Sequence, residues 1–181
     1  MSNPLIEGRD LANITIPAPA SAYVAVTAGG SGDNTAVTGL TIDRMALTPY
    51  GAGATVSNAL PTGVVFELFY QCTLGAAATI SIKNAKVEDS ADGSTWATVY
   101  DQTGVSGPIP PDWPIAGVVD TGAAGGSTQH GVVAFGTAIK NCRRYVRFDW
   151  TPDMSAANTD TGSFAVVAVL SGLDEVPPGI V

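Results

Sequence analysis

The chain has 181 residues, of which 45% are hydrophobic and only 13% are charged, whereas ordinary soluble domains carry about 25% charged residues. This length allows one hydrophobic core, so we expect residues 1–181 to form a single β domain. A net charge of −8 argues against a nucleic-acid binder, which needs cations to displace the counterions of phosphates. With few charged groups to cover its outside, the chain is expected to bury much of its surface against other protein chains.

The two ends of the chain differ from the rest in composition. Residues 1–10 are polar and lack the apolar segment of a signal peptide, which predicts an N-terminal arm and synthesis in a cytoplasm. Residues 174–181 contain two prolines, which exclude a central strand and predict a C-terminal tail. The longest apolar run, Phe164–Leu170, has seven residues, whereas a membrane-spanning helix needs about twenty, so we expect no membrane contact.

Between these ends, apolar residues alternate with others at period two, and no segment shows the sustained apolar stripe of a helix. The alternation predicts about nine strands. They cover Leu11–Ile16, Tyr23–Thr27, Val37–Ile42, Val64–Leu74, Thr79–Val87, Thr95–Tyr100, Gly131–Ala138, Arg144–Thr151 and Ser163–Leu170. Val64–Leu74 is apolar on both faces, which places it in the centre of a sheet or under a neighbour. The predicted fold class is all-β, a β-sandwich of jelly-roll type with long loops.

The segment Asp89–Trp96 carries an Asp-Gly pair between two predicted strands, which indicates a tight hairpin because glycine accepts the positive φ of such turns. Trp96 starts the returning strand and is expected to be a buried side chain that packs across the hairpin. The carboxylates of Glu88, Asp89 and Asp92 are an alternative calcium site. The full Asp-x-Asp-x-Asp-Gly loop is absent, so the structural turn is favoured.

Residues 101–130 hold four prolines and a glycine-rich run, which predict a long loop that is functional or disordered. At its end lies the single histidine, His130, which a Ser-His-Asp triad would need as its base. No Gly-x-Ser-x-Gly motif accompanies it, and the glycine-rich run lacks the lysine of a phosphate-binding loop. We interpret His130 as a solvated or interface residue and predict no enzyme activity, no cofactor and no metal site.

The two cysteines, Cys72 and Cys142, lie 70 residues apart. Neither belongs to a Cys-x-x-Cys motif or a His/Cys cluster. A single disulfide is the alternative, but two free thiols that pack as small hydrophobic residues are the favoured interpretation.

Half of the eight basic residues lie in residues 140–150. On a strand, Arg143, Tyr145 and Arg147 share a face with Asp149, opposite the face that enters the core. Arginine and tyrosine are frequent in interface hot spots, so Arg143, Tyr145 and Arg147 are the candidate interface residues. An equal alternative is a solvated strand face with an Arg147–Asp149 pair.

Two parts of the sequence resemble small virion proteins of phages. Val87–Trp96 resembles a hairpin that is common in these proteins, and Arg144–Phe148 with Thr161–Gly172 resembles their C-terminal strand pair. Together these segments cover under a quarter of the chain. The family is that of the capsid cement or decoration proteins of tailed bacteriophages, often jelly rolls. The resemblance implies a homo-oligomer, a trimer or dimer, that bridges subunits of the major capsid protein on the outer shell.

Our first hypothesis is therefore a non-enzymatic virion protein that binds the capsid exterior and stabilises contacts between capsomers, after synthesis in the host cytoplasm. A second hypothesis is another phage component, such as a head-fibre base or tail protein. A third is a carbohydrate-binding module, because Ser90–Trp96 also resembles the Ser-x-Asp-Gly-x-x-Trp hairpin of discoidin-like domains. The aromatic content of 7% argues against this third hypothesis.

Overall fold

Twelve β-strands and no helix occur in the part of the chain that this computed structural model describes, which is residues 15–47, 56–57, 60–114, 117–155 and 159–173. The strands are β1 (Thr15–Pro19), β2 (Val24–Thr27), β3 (Ile42–Asp43), β4 (Ala46–Leu47), β5 (Val56–Ser57), β6 (Pro61–Leu74), β7 (Thr79–Ser90), β8 (Ala97–Asp101), β9 (Val118–Thr121), β10 (Ser127–Ala138), β11 (Tyr145–Met154) and β12 (Thr161–Leu173). Within these ranges, no helix is long and apolar enough to cross a membrane. The predicted arm, the predicted tail and most of the predicted strand Leu11–Ile16 lie outside the described residues.

The strands form two antiparallel five-stranded sheets and one small ribbon. Sheet A has the order β1, β12, β6, β10, and β2 pairs with the other end of β12. Sheet B has the order β3, β11, β7, β8, and β9 pairs with the other end of β7. β1 and β2 pair with opposite ends of β12 and can be counted as one interrupted strand, and so can β8 and β9 along β7. When the eight resulting strands outside the ribbon are renumbered in chain order, sheet A has the order 1-8-3-6 and sheet B has the order 2-7-4-5. This is a jelly roll, and the predicted fold class is confirmed.

The central position predicted for Val64–Leu74 is also confirmed, because β6 pairs with β10 on one side and with β12 on the other. Alternate residues of β6, including Val64, Phe66 and Leu68, are buried between the sheets. The residues between them point away from the core, and Phe69 is 42% exposed there.

A cluster of aromatic rings joins the two sheets. Phe148 of β11 stacks on Phe66 of β6 with ring centroids 4.8 Å apart, and Phe135 of β10 lies 5.0 Å from Phe148. Trp113 meets the rings of Phe135 and Phe148 edge-on, at 5.3 and 6.1 Å. Because large aromatic side chains dominate the energetics of a core, this cluster contributes strongly to the packing of sheet A against sheet B.

The prediction that residues 101–130 form one long irregular loop is wrong in two places. The segment contains β9 and the first residues of β10, so His130 lies on a strand. Trp113, from the proline-rich part, is 3% exposed, and its indole Nε1 donates to the carbonyl oxygen of Gly136 at 3.0 Å. The loop thus covers part of the edge of sheet A at β10, where unpaired backbone groups would otherwise meet solvent.

The predicted strand Val37–Ile42 forms only in part. Val37 makes an isolated bridge to Trp150, and pairing resumes at β3. Between them Gly39 lies so close to β11 that a Cβ atom there would come within 2.3 Å of the carbonyl oxygen of Phe148. This close approach replaces regular pairing in the middle of the predicted strand.

Candidate functional site

The outward side of sheet A is poor in charge and partly hydrophobic, and we call it the apolar face. It is made of Pro17, Pro19, Tyr23, Val65, Glu67, Phe69, Gln71, His130, Val132, Ala134, Ser163, Ala165, Val167 and Val169. Tyr23 is 71% exposed and Val132 is 51% exposed. Large exposed apolar side chains that are contiguous, rather than scattered, mark surfaces for interaction.

The strand register arranges these residues in rows across the sheet. Val132 of β10, Phe69 of β6 and Ala165 of β12 form the middle row. The next row holds His130, Gln71 and Ser163, and the Tyr23 hydroxyl donates to Ser163 Oγ at 2.6 Å. The hydrogen bond fixes the Tyr23 ring above the sheet, beside the small residue Ala165.

An open groove of about 720 Å³ runs along these rows. Its apolar lining includes Tyr23, Phe69 and Val132, and its polar lining includes Gln71 and His130. The size is within the range of about 300–1,000 Å³ that ligand sites occupy. The groove can therefore receive an apolar side chain with a polar end, or a small ligand of the same character.

Charge is nearly absent from the apolar face. Its described residues include one carboxylate, on Glu67, and one imidazole, on His130, and none is lysine or arginine. Glu67 lies between Ala134 and Val167 across the strands, so no cation stands opposite it within the sheet. Described residues that line the groove include no carboxylate, so the structure does not assemble a Ser-His-Asp triad there.

The outward side of sheet B has the opposite character, and we call it the ion-paired face. It consists of Lys86, Glu88, Trp96, Arg147 and Asp149. Glu88 Oε2 accepts from Arg147 Nε at 2.9 Å, and Glu88 Oε1 lies 2.5 Å from Lys86 Nζ. Arg147 Nε is also 3.5 Å from Asp149 Oδ1, which is the pair that the alternative interpretation of this strand predicts.

Burial and partners set the pKa values in this network. Burial acts to raise the pKa of Glu88, but hydrogen bonds from Lys86 and Arg147 outweigh it and hold that pKa below its ordinary value. The pKa of Asp149 is raised, chiefly because burial disfavours its charged form. The backbone N–H of Gly39 donates to Asp149 Oδ1 at 2.9 Å and offsets part of that cost.

Trp96 covers the ion-paired face rather than entering the core, so the expectation of a buried Trp96 is wrong. Its ring lies 4.2 Å from the guanidinium carbon of Arg147, and its side chain is half-buried. The hairpin leads into β8, which pairs with β7 at the end of sheet B, and Trp96 directly precedes β8. The contact is a cation–π interaction.

Of the three predicted interface residues, Tyr145 and Arg147 lie on this side of β11. Arg143 precedes β11 and bonds to Asp89, whose strand partner Val146 faces the core. Arg143 pairs with Asp89 at 2.8 Å, and Arg147 pairs with Glu88. Tyr145 is half-buried beside the hairpin glycine, Gly93. Their role as an interface remains a prediction, and a partner there would have to share their existing contacts.

The three carboxylates of the alternative calcium site point to different partners. Glu88 and Asp89 bind arginines, whereas Asp92 Oδ1 accepts from the backbone N–H groups of Thr95 and Ser94 at 2.8 and 2.9 Å. These bonds hold the pKa of Asp92 far below its ordinary value. The arrangement is that of the favoured structural turn.

Sequence reasoning did not single out the apolar face. Its signal was present in β6, where both faces are apolar, but we also considered that a neighbouring element covers the second face. Tyr23 and His130 join that face through strand pairing, and residue types alone do not reveal which strands are neighbours. The two cysteines are free, with Cys72 buried and Cys142 half-buried.

No family model matches the chain, and no curated protein matches it. Among solved structures, that of the infectious bursal disease virus Gx strain is similar over 90% of this chain, with 10% identity and a TM-score of 0.41. A mutant VP2 protein of the same virus is similar over 92%, with 9% identity and a TM-score of 0.42. Dimeric latent PorU from Porphyromonas gingivalis is similar over 89%, with 7% identity and a TM-score of 0.37.

This chain covers 33% of each viral chain and 13% of PorU. This chain is thus similar to part of each viral chain. Similarity at this level carries no argument about function. The two sheet faces are the features of this chain that bear on its function.

Proposed function

We propose that the chain is a non-enzymatic structural protein of a virion, which binds the outer surface of a tailed-phage capsid and stabilises contacts between capsomers. The observation that supports a role in an assembly is the apolar face, where Tyr23, Phe69 and Val132 are all exposed. A stable protein that presents such a face meets another protein surface. The proposed partners are the major capsid protein and further copies of this chain.

Three features favour a virion over other assemblies. The net charge of −8 suits the outside of a particle, away from packaged nucleic acid. The hairpin and the C-terminal segments that resemble decoration proteins form β7–β8, β11 and β12 of a jelly roll. The low charged fraction of 13% leaves wide areas suited to protein contacts.

The test compares virions that contain this chain with virions made without it. Electron cryomicroscopy should show an added all-β unit on the outer shell, and virions without the chain should break at lower temperature. Density in the tail or at a head-fibre base would support the second hypothesis instead. Absence of the chain from purified virions would contradict the proposal.

The ends of the chain offer a sharper version of this test. We propose that residues 1–10 or 174–181 add contacts to neighbouring subunits, because linked contacts raise avidity. Removing either segment should leave the melting temperature unchanged but lower occupancy on particles lacking the native protein. Full occupancy by both truncated chains would place attachment in the folded body, with Arg143, Tyr145 and Arg147 as the first residues to replace.

A second candidate function is carbohydrate binding, because the groove combines aromatic rings with amide, hydroxyl and imidazole groups. Its aromatic platform would be Tyr23 and Phe69 rather than Trp96, which already contacts Arg147. A glycan array tests this candidate directly. Binding that is lost in Tyr23→Ala but kept in Trp96→Ala would favour it over the virion role.

A further inference from the structure

We propose that two copies of this chain pair through their apolar faces about a two-fold axis, with Glu67 of each copy against His130 of the other. This pairing rests on the proposed function, which names further copies of this chain as partners, and it specifies how two copies meet without a capsid. The occupant of the face is a second copy because the face supplies, on itself, both members of a complementary pair.

The size of the face suits a dimer. Four strands at about 4.8 Å spacing, each about nine residues long, cover roughly 600 Å². A standard stable interface buries about 800 Å² on each partner, including its rim. Tyr23 and the ends of the strands extend the contact toward that value. The middle of the face is apolar, and its polar groups lie to either side, which is the usual anatomy of an interface.

The strand register decides where the polar groups meet. Phe69 and Val132 form the middle row. Glu67 lies one row to one side of it on β6, and His130 lies one row to the other side on β10, paired with Gln71. A two-fold axis that lies in the interface and crosses the strands along the middle row exchanges the two outer rows. It therefore places each Glu67 close to the partner's His130, twice per dimer.

Other arrangements lack this match. A two-fold axis parallel to the strands keeps Glu67 in its own row, which is occupied by Ala134 and Val167. The carboxylate would then be covered by apolar groups without a hydrogen-bond donor, which is costly. In the proposed arrangement an imidazole N–H donates to the carboxylate, so both groups are satisfied as they lose water. A trimer cannot use one face on itself in this way.

The first experiment measures the mass and dissociation constant of the full chain by sedimentation at micromolar concentration. We expect a dimer, twice the 18.3 kDa of one chain. Val132→Lys puts an unpaired ammonium group into the apolar centre and should weaken pairing at least ~100-fold. The matched control is Val105→Lys, since Val105 is 85% exposed and lies outside the face. This control should change the dissociation constant less than ~2-fold.

The second experiment exchanges the polar partners. Glu67→His alone sets two imidazoles together and His130→Glu alone sets two carboxylates together, so each should weaken pairing roughly 10-fold. The double variant E67H/H130E restores one imidazole and one carboxylate at every contact. It should return to within ~3-fold of the parent, which a purely structural effect of the two changes would not produce.

A monomer or trimer at micromolar concentration would overturn the proposal, as would equal dissociation constants for Val132→Lys and Val105→Lys. Failure of E67H/H130E to recover, with both single variants weakened and all variants folded, would overturn the two-fold arrangement. Occupancy on virions is measured separately. A dimer that never attaches to virions would contradict the proposed function and leave the pairing intact.

Discussion

The outward faces of the two sheets differ in how their polar and apolar side chains are satisfied. On sheet B, Glu88 and Arg147 satisfy each other, and Trp96 lies over the guanidinium. On sheet A, Phe69 and Val132 are exposed, and Glu67 has no cation opposite it within the sheet. A face whose charges are paired within the chain is complete by itself, whereas an apolar face with unpaired polar groups is completed by another molecule.

The largest contrast is expected between two phenylalanines. Phe148 lies in the aromatic cluster between the sheets and is 0% exposed, whereas Phe69 is 42% exposed on the apolar face. Phe148→Ala should lower the free energy of unfolding by about 3–5 kcal/mol, because it leaves a cavity between both sheets. Phe69→Ala should change it by only about 0.5 kcal/mol but weaken self-association. Urea unfolding and sedimentation of both variants measure the contrast. Equal unfolding free energies for Phe148→Ala and Phe69→Ala would contradict it.

A smaller contrast is expected between two glutamates. Glu88→Gln removes the closer of the two carboxylates beside Arg147 and Lys86 and leaves only Asp149, at 3.5 and 3.7 Å. It should cost about 2 kcal/mol, less than breaking a fully buried pair, because both cations still reach water. Glu67→Gln should cost about 0.5 kcal/mol or less, since Glu67 has no partner within its sheet. Urea unfolding at neutral pH gives both values. A larger loss of unfolding free energy for Glu67→Gln than for Glu88→Gln would mean that Glu67 has strong partners within the chain, which contradicts an apolar face with unpaired polar groups.

The same pair of variants has a pH signature. Because the pKa of Glu88 is depressed in the folded chain, its stabilisation is complete above its ordinary pKa of 4.5 and is lost as pH falls through the lower folded value. The difference between the parent and Glu88→Gln should therefore shrink below pH 4.5. Asp149 acts in the opposite direction because its pKa is raised, chiefly by burial and in part by the Glu88 charge, so Glu88→Gln should lower the pKa of Asp149 somewhat. A difference that stays constant to low pH would contradict the network.

The contact between Trp96 and Arg147 should contribute less to the free energy of unfolding than the Glu88 network does. Trp96→Ala should cost about 1 kcal/mol, since the ring is half-buried and a cation–π contact at an exposed site is worth roughly 0.5–1 kcal/mol. Trp96→Phe keeps an aromatic ring over Arg147 and serves as the control, with a smaller loss. Thermal unfolding measures both. A loss as large as that of Phe148→Ala would show that Trp96 belongs to the core.

The sequence predicts features that depend on a local pattern and misses features that depend on contacts between distant strands. Alternation along β6 is a local property, so its buried residues and central position are readable from Val64–Leu74 alone. The start of β10 at Ser127 was missed because the first five residues of this strand are polar residues and glycine, which resemble a loop. Tyr145 and Arg147 share one side of β11, but Arg143 precedes the strand and bonds to Asp89 of β7, which no local pattern reveals.

Long-range contacts were beyond sequence reasoning for the same physical reason. Trp113 enters the core from a proline-rich segment without periodicity, because it fills a space set by Phe135 and Phe148 on two other strands. The groove depends on Tyr23 standing beside Ser163, 140 residues away in sequence. Both features follow from sheet order, and sheet order follows from the packing of the whole chain.

The effect that is smallest at neutral pH concerns a link between the two sheets, where the Tyr70 hydroxyl of β6 donates to Asp120 Oδ2 of β9 at 3.0 Å. Burial, and then the neighbouring carboxylate, raise the pKa of Tyr70 to about 12. Below pH 10 the phenol is neutral in both folded and unfolded chains and adds no pH dependence. Between pH 10 and about 12 the unfolded chain loses this proton first, so stability should fall with rising pH over that interval.

Tyrosinate absorbance during an alkaline titration should show a late step near pH 12 that Tyr70→Phe removes. Asp120→Asn keeps a hydrogen-bond acceptor but removes the negative charge, so the late step should move toward pH 10 without vanishing. Variants of the apolar face such as Val132→Lys should leave the step in place, because Tyr70 bonds to β9 of sheet B. A step that moves with Val132→Lys would mean that the apolar face and the Tyr70–Asp120 link between the sheets are not independent.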